Sequence, residues 1–270
     1  MAATGGGPVA VVGPSGSGKS SLLRAGLIPA AESGALSGPG PATWPVVLVT
    51  PGEAPLRRLA TALSPQAGLP ASAIGDRLRA DPASLAGLLD AILAARATPD
   101  AGPARVVLIV DQFEEVFALC PDEGERSAFI AALAAAGPVV FALRADCYGH
   151  CLAYPALVPA LRDRQVLIGP MTEAELRDVI GKPARAAGLA LQPGLTDLLL
   201  RDISGGRTPG EDEAALPLLG YALLATWQRR EGRALTMAGY QAGGGIWGAV
   251  AQAAERQYQQ LDPPGRDAAG

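Results

Sequence analysis

The sequence predicts an α/β fold, a three-layer α/β/α core on a parallel five-stranded sheet, and three observations carry that prediction. Five short apolar or β-branched runs, at residues 9–12, 46–50, 106–110, 139–143 and 166–168, alternate with helical stretches, the pattern of a parallel sheet covered on both faces. The 270 residues are 49% hydrophobic with a mean hydropathy of +0.22, enough to fill a core built from Leu, Val and Ala, since aromatics make up only 4%. The first run leads directly into Gly13-Pro14-Ser15-Gly16-Ser17-Gly18-Lys19-Ser20, a complete GxxxxGKS phosphate loop, and then into a helix start at Ser21-Leu22-Leu23.

The loop has the chemistry of a nucleoside triphosphate site. Gly13, Gly16 and Gly18 lack a Cβ, so the backbone is free to curl and turn its amides toward phosphate, and the following helix adds its positive N-terminal end. That end contributes only about 0.3–1 kcal/mol for an anion. Lys19 is therefore needed for a full positive charge, and Ser20 for a hydroxyl ligand to Mg²⁺.

The second run, Val46 to Thr50, lies in sequence between the phosphate-loop strand and the third run. An extra strand between those two in the sheet marks the ATPase-like division of P-loop proteins, and residues 46–50 fill either that place or the sheet edge. A helix follows around Leu85, Leu88, Leu89, Ile92 and Leu93, with Asp81 expected as N-cap and Pro82 at the first helical position. The third run continues as Arg-Val-Val-Leu-Ile-Val-Asp-Gln-Phe-Glu-Glu-Val over residues 105–116. Asp111, at the strand tip, is the candidate Mg²⁺ residue with Ser20. Glu114 and Glu115, three and four residues beyond, are the candidates to orient or deprotonate water; the alternative is that they only decorate the first turn of the next helix. After the fourth strand, Arg144 stands where a fixed guanidinium can read the γ-phosphate, the alternative being an ion pair with Asp146 or Asp111.

Composition narrows the partners. The formal net charge is −4, and Lys19 and Lys182 are the chain's two lysines, which argues against a nucleic-acid footprint. No stretch approaches the ~18 apolar residues that span a bilayer, and no basic region precedes the first apolar run, so the expectation is a cytoplasmic protein without a membrane segment. Cys120, Cys147 and Cys151 provide no even disulfide framework; Cys147, His150 and Cys151 lack a convincing fourth zinc ligand and read as reduced thiols beside a solvent-facing imidazole. The sequence contains no asparagine, which excludes the NKxD guanine-reading motif, and Leu36-Ser37-Gly38 sits too early to be a transporter signature.

Beyond Pro170 strand signals stop. Thr172 and Glu175 form a capping box, and helical runs follow at 196–203 and 216–229, separated by a Gly-rich loop at 205–213. The segment from Leu235, with a helix-like run at 251–260 and the Asp262-Pro263-Pro264-Gly265 end, is expected to begin a third, truncated module. The boundaries expected are 1–169 for the core, 170–232 for the helical part and 233–270 for the last module.

Taken together, GPSGSGKSSLL, LIVDQFEEVF, FALRADCYG and ALPLLGYAL, in this order, resemble the STAND-type NTPases, relatives of the AAA+ and NACHT ATPases, and most closely their bacterial branch fused to WD-repeat propellers. The resemblance spans nearly the whole chain. It implies a P-loop NTPase core, a helical lid over 170–232 and the start of a winged-helix module. It implies an ATP/ADP and Mg²⁺ site formed by Gly13 to Ser21 and Asp111, Pro217 near the adenine, and an acidic motif from Asp111 to Glu115. It further implies an ATP-dependent signalling switch that hydrolyses slowly, forms a homo-oligomer in the ATP state, and works with C-terminal WD-repeat or N-terminal effector domains. A P-loop small-molecule or nucleotide kinase, and a nucleotide-binding scaffold that never turns over, are the alternatives.

Overall fold

A computed structural model describes residues 7–36, 43–96, 104–205 and 215–260. Residues 37–42, most of the Gly-rich loop at 205–213 and the Asp262–Gly265 end lie outside the described residues. The chain divides into two compact units, residues 1–14 with 18–168 and residues 15–17 with 169–270.

The first unit opens with β1 (Val9–Gly13) and, past the phosphate loop, a helical segment. That segment comprises α1 (Lys19–Ser21), a π-helical turn (Leu22–Leu27) and α2 (Ile28–Glu32). Then come β2 (Val46–Val49), α3 (Pro55–Ala67), α4 (Ala71–Ala80), α5 (Ser84–Arg96), β3 (Val107–Val110), α6 (Glu115–Ala118) and α7 (Glu123–Ala135). The unit closes with β4 (Val139–Arg144), a 3₁₀ turn (Ala145–Cys147), α8 (Tyr148–Leu152), α9 (Val158–Asp163) and β5 (Gln165–Leu167).

The five strands form one parallel sheet in the order β2-β3-β4-β1-β5. A strand does lie between the phosphate-loop strand and the Asp111 strand, but it is β4; β2 takes the edge. Register explains the three layers. Ala10, Val12, Val47, Val49, Leu108, Val110, Phe141 and Leu143 face one core with Leu56, Leu59, Leu78, Leu88 and Phe129 of the α3, α4, α5 and α7 layer. Their alternating neighbours Val11, Val107, Ile109 and Ala142 face a second core with Leu23 and Ala31. β3 is buried at every position because it is covered on both faces.

The helix expected to start at Asp81 and Pro82 begins instead at Ser84. Asp81 is extended and ends α4, its N–H bonded to the Arg77 carbonyl. Its carboxylate then accepts from Ala83 N, closing a turn ahead of α5.

The second unit contains α10 (Glu173–Ala186), β6 (Ala190–Leu191), α11 (Leu195–Ser204), α12 (Ala215–Gln228), β7 (Ala234–Leu235), α13 (Met237–Ala242) and α14 (Gly245–Gln260). The capping box is present: Thr172 Oγ1 accepts from Glu175 N, and the Glu175 carboxylate accepts from Thr172 N at 2.8 Å. Strands do not stop at Pro170, however. β6 and β7 pair in parallel, Ala190 with Ala234 and Leu191 with Leu235. Two-residue strands have no periodicity to read, and only the long-range pairing reveals them. One apolar cluster, from Leu176 through Leu199 and Leu219 to Tyr240 and Ile246, serves the whole unit.

Candidate functional site

All five parallel strands point their C-terminal ends the same way, so Gly13, Asp111 and Arg144 collect at one edge of the sheet. The phosphate loop leaves that edge with Gly16 at φ 74° and Gly18 at φ 90°, left-handed conformations that suit residues without a Cβ. Gly18 is the N-cap of α1 and provides no side-chain acceptor, leaving the first amides of the helix without a capping partner from a side chain. Pro14, Gly16 and Gly18 are half-buried, while Ser15 and Ser21 are exposed. Ser17 is buried, and its Oγ has no hydrogen-bond partner. A buried, unpartnered hydroxyl within a loop of glycine amides fits a phosphate acceptor.

Lys19 is 8% exposed. Its ammonium donates to the carbonyls of Gly13 at 2.9 Å and Pro14 at 2.6 Å. Burial pushes its pKa below the ordinary 10.5, an effect opposed by the fields of Glu114, Asp146 and Asp111 and reinforced by Arg144. The two metal candidates meet. Ser20 Oγ donates to Asp111 Oδ1 at 2.7 Å, joining residues 91 positions apart, and Asp111 is 1% exposed. The donor set, a hydroxyl beside a carboxylate, is oxygen-only and suits Mg²⁺.

The acidic turn is shaped by an unusual backbone. Asp111 N bonds to Val49 O at 2.9 Å, and two residues later Phe113 N bonds to Ala142 O at 2.9 Å, so the chain crosses from one neighbouring strand to the other. Gln112 makes the turn with φ 57°, the one non-glycine residue in the left-handed region among the described residues. Phe113 anchors it, packed against Phe117, Phe129 and Phe141, so the other three phenylalanines of the chain pack on the one inside the acidic motif.

The two glutamates separate. Glu114 Oε2 accepts from Arg144 N at 3.3 Å, and its field is the largest one raising the Lys19 pKa. Glu115 is held at the other side of β3, where its Oε2 accepts from Gly52 N at 2.9 Å. Arg144 makes a bidentate pair with Asp146, at 3.0 and 2.6 Å, which holds the Asp146 carboxyl below its ordinary range. Pro217 is exposed in the first turn of α12, in the second unit. Cys120 and Cys151 are buried, burial pushing the Cys151 thiol up to about 12, and His150 stacks on Phe117 with centroids 5.5 Å apart. No group of three or more His, Cys, Asp and Glu suited to a metal occurs among the described residues.

One residue escapes motif reading. Arg24 Nε donates to Asp111 Oδ2 at 3.0 Å. Its signal was its spacing, four residues past Ser20 on the same helical face.

A model of the family described as Novel STAND NTPase 1 matches residues 2–270. No curated protein matches the sequence. Among solved structures, Aeropyrum pernix ORC1 in complex with DNA is similar at TM-score 0.57 and 16% identity, covering 95% of this chain and 63% of that one. Aeropyrum pernix ORC2 is similar in its ADP form at TM-score 0.55 and 15% identity, over 88% of this chain and 62% of that one. The ADPNP-ADP complexes of ORC2 give 0.52 and 17%, over 92% and 62%. The chain thus spans less than two thirds of these neighbours' length, and the likeness establishes the fold. Among the described residues no helix is long and apolar enough to cross a membrane.

Proposed function

The chain belongs to the Novel STAND NTPase 1 family of nucleotide-binding NTPases, and from that premise we propose that it is an ATP-binding, slowly hydrolysing switch whose nucleotide state controls self-association and effector output. The observation that carries the reading is the 2.7 Å bond between Ser20 and Asp111, which unites the phosphate loop and the strand tip in one oxygen-lined site.

The chain's residues then divide the work. Gly13 to Ser21 hold the phosphates through backbone amides, Ser17 Oγ finds its missing partner there, and Lys19 leaves the Gly13 and Pro14 carbonyls to neutralise phosphate charge. Ser20 and Asp111 hold Mg²⁺, which when bound neutralises charge across the phosphates. Glu114, whose carboxylate accepts from Arg144 N on the β4 side, orients the attacking water, while Glu115 is turned to Gly52 N on the other side of β3. Arg144 exchanges Asp146 for the γ-phosphate. Moving a two-state equilibrium from 1:99 to 99:1 requires about 5.5 kcal/mol of differential binding. Two or three charge-assisted bonds of roughly 1.5–3 kcal/mol each cover it.

Residues 1–169 as the core, 170–232 as a lid with Pro217 near adenine, and 233–270 as the beginning of a winged-helix-like module belong to the same proposal. So do a cytoplasmic location, a homo-oligomer in the ATP state, and attached WD-repeat or effector domains. One neighbour is a DNA complex; the excess of 26 acidic over 22 basic side chains favours a nucleotide ligand over DNA here.

The test is phosphate release from ATP by the full chain, with chromatography of the nucleotide products. Mg²⁺-dependent release without a phosphorylated acceptor, slowed by Glu114→Gln, is expected. A phosphorylated acceptor identifies a kinase, and tightly held ADP with no release identifies a scaffold; either outcome overturns the reading.

A further inference from the structure

Each oxygen of the Asp111 carboxylate already accepts one hydrogen bond. Oδ1 accepts from Ser20 Oγ at 2.7 Å and Oδ2 accepts from Arg24 Nε at 3.0 Å. The two contacts differ in what they oppose. A serine oxygen that donates its hydrogen to Asp111 keeps its lone pairs, so the Ser20 contact is compatible with a metal ligand at Ser20. A guanidinium has no lone pair to share and carries the same sign as a metal ion. On Oδ2, Arg24 and a cation compete.

The three groups also differ in freedom. Asp111 is 1% exposed, and its backbone amide is bonded to Val49 O, so the carboxylate stays where it is. Leu23, 1% exposed, pins the helical segment to the sheet and fixes the Arg24 backbone. The Arg24 side chain is 52% exposed, so its guanidinium can leave for water without being desolvated. It sits in the π-helical turn Leu22–Leu27, the one irregular stretch between α1 and α2.

We infer that Arg24 is a resident counter-ion of Asp111, displaced when Mg²⁺ binds, so that the chain sets its own metal affinity by competition from a side chain. The inference rests on the ATP and Mg²⁺ reading above and adds a residue that this reading does not need. The opposite role, a permanent orienting bond to Asp111, predicts the opposite sign on removal. A half-exposed pair is worth less than a buried charged bond and more than a surface pair. Its loss is expected to change the metal requirement by about fivefold to tenfold.

Calorimetric titration of ADP into the full chain over a series of Mg²⁺ concentrations tests this with no turnover involved. Arg24→Gln is expected to lower the half-saturating Mg²⁺ about fivefold to tenfold, and Arg24→Lys, which retains the charge, to remain near the parent. An unchanged or raised requirement in Arg24→Gln, with ADP still bound, overturns the inference alone. A parent chain that binds no ADP, or binds it without regard to Mg²⁺, overturns the underlying reading and the inference with it. If Arg24→Gln does not fold, the parent chain decides: the Arg24 Nε–H signal in ¹⁵N NMR, slow to exchange without metal, becomes fast when Mg²⁺ and ADP are added, and continued protection overturns the exchange.

Discussion

The charged edge of the five-stranded sheet and the helical unit after Gly169 both rest on apolar cores, but they treat buried polar groups in opposite ways. Four polar residues are buried among those described: Ser17, Lys19, Asp111 and Thr226. In the helical unit Thr226 is fully answered from within, Oγ1 donating to Ala222 O at 2.7 Å, and the hydroxyl of buried Tyr240 donates to Asp202 at 2.6 Å. At the sheet edge Ser17 Oγ has no partner, the Lys19 ammonium makes do with two carbonyls, and a left-handed Gln112 holds the turn beside Asp111. Unanswered buried charge costs stability wherever it stands. The difference teaches that the helical unit is finished by its own chain, whereas the sheet edge is arranged for something that completes it.

The largest effect that tests this contrast comes from Lys19→Met. Calorimetry is expected to show ATP and ADP affinity falling at least about 100-fold, the loss of two or more charge-assisted bonds, while the nucleotide-free chain melts no lower than the parent. Retained binding breaks the comparison.

Next come the two glutamates. Glu114→Gln is expected to slow single-turnover phosphate release about 100-fold with ATP affinity retained. Glu115→Ala is expected to change release by less than about threefold and to cost about 1 kcal/mol in urea unfolding, since it removes the acceptor of Gly52 N. Equal kinetic effects would erase the separation of their roles.

A smaller change is expected on the other side of the contrast. Tyr240→Phe removes the donor to Asp202, whose bond follows burial in raising the phenol's pKa. Urea unfolding is expected to give a loss of about 1 kcal/mol, with ADP affinity unmoved. A shift in ADP affinity would mean that the helical unit is not self-contained.

The smallest effect is in alkali. Burial holds the Lys19 pKa below 10.5, so the folded chain binds fewer protons than the unfolded chain between the two values. The penalty is fully present below the folded value and is lifted as pH rises to 10.5. Buried Cys151, pushed up to about 12, contributes with the opposite sign. The difference between parent and Lys19→Met isolates the lysine: the parent's relative stability is expected to rise with pH across that window, and a flat difference would show that burial of the ammonium costs nothing.

Much of this was legible in the residues themselves. Phosphate-loop glycines, the strand ending in Asp111, the Thr172 capping box and the five strand runs are local patterns, each dictated by the conformations and spacing of a few neighbouring side chains. Less legible were contacts that span the chain. Residues 46–49 sit at the edge and β4 takes the central place, because strand order depends on which faces the helices cover and not on sequence order. The same holds for β6 with β7, whose two-residue strands carry no pattern. Glu114 and Glu115 are adjacent and chemically alike, and only the packing of Phe113 and the turn at Gln112 directs them to opposite sides of β3.

By itself, then, the sequence determined the chemistry available: a parallel sheet with both faces apolar, a glycine loop with one lysine, and carboxylates just beyond a strand. The tertiary structure alone decided which of those groups meet. Ser20 and Arg24 reach Asp111 across 91 and 87 residues, and contacts at that separation are set by register and burial, which no short window of sequence encodes.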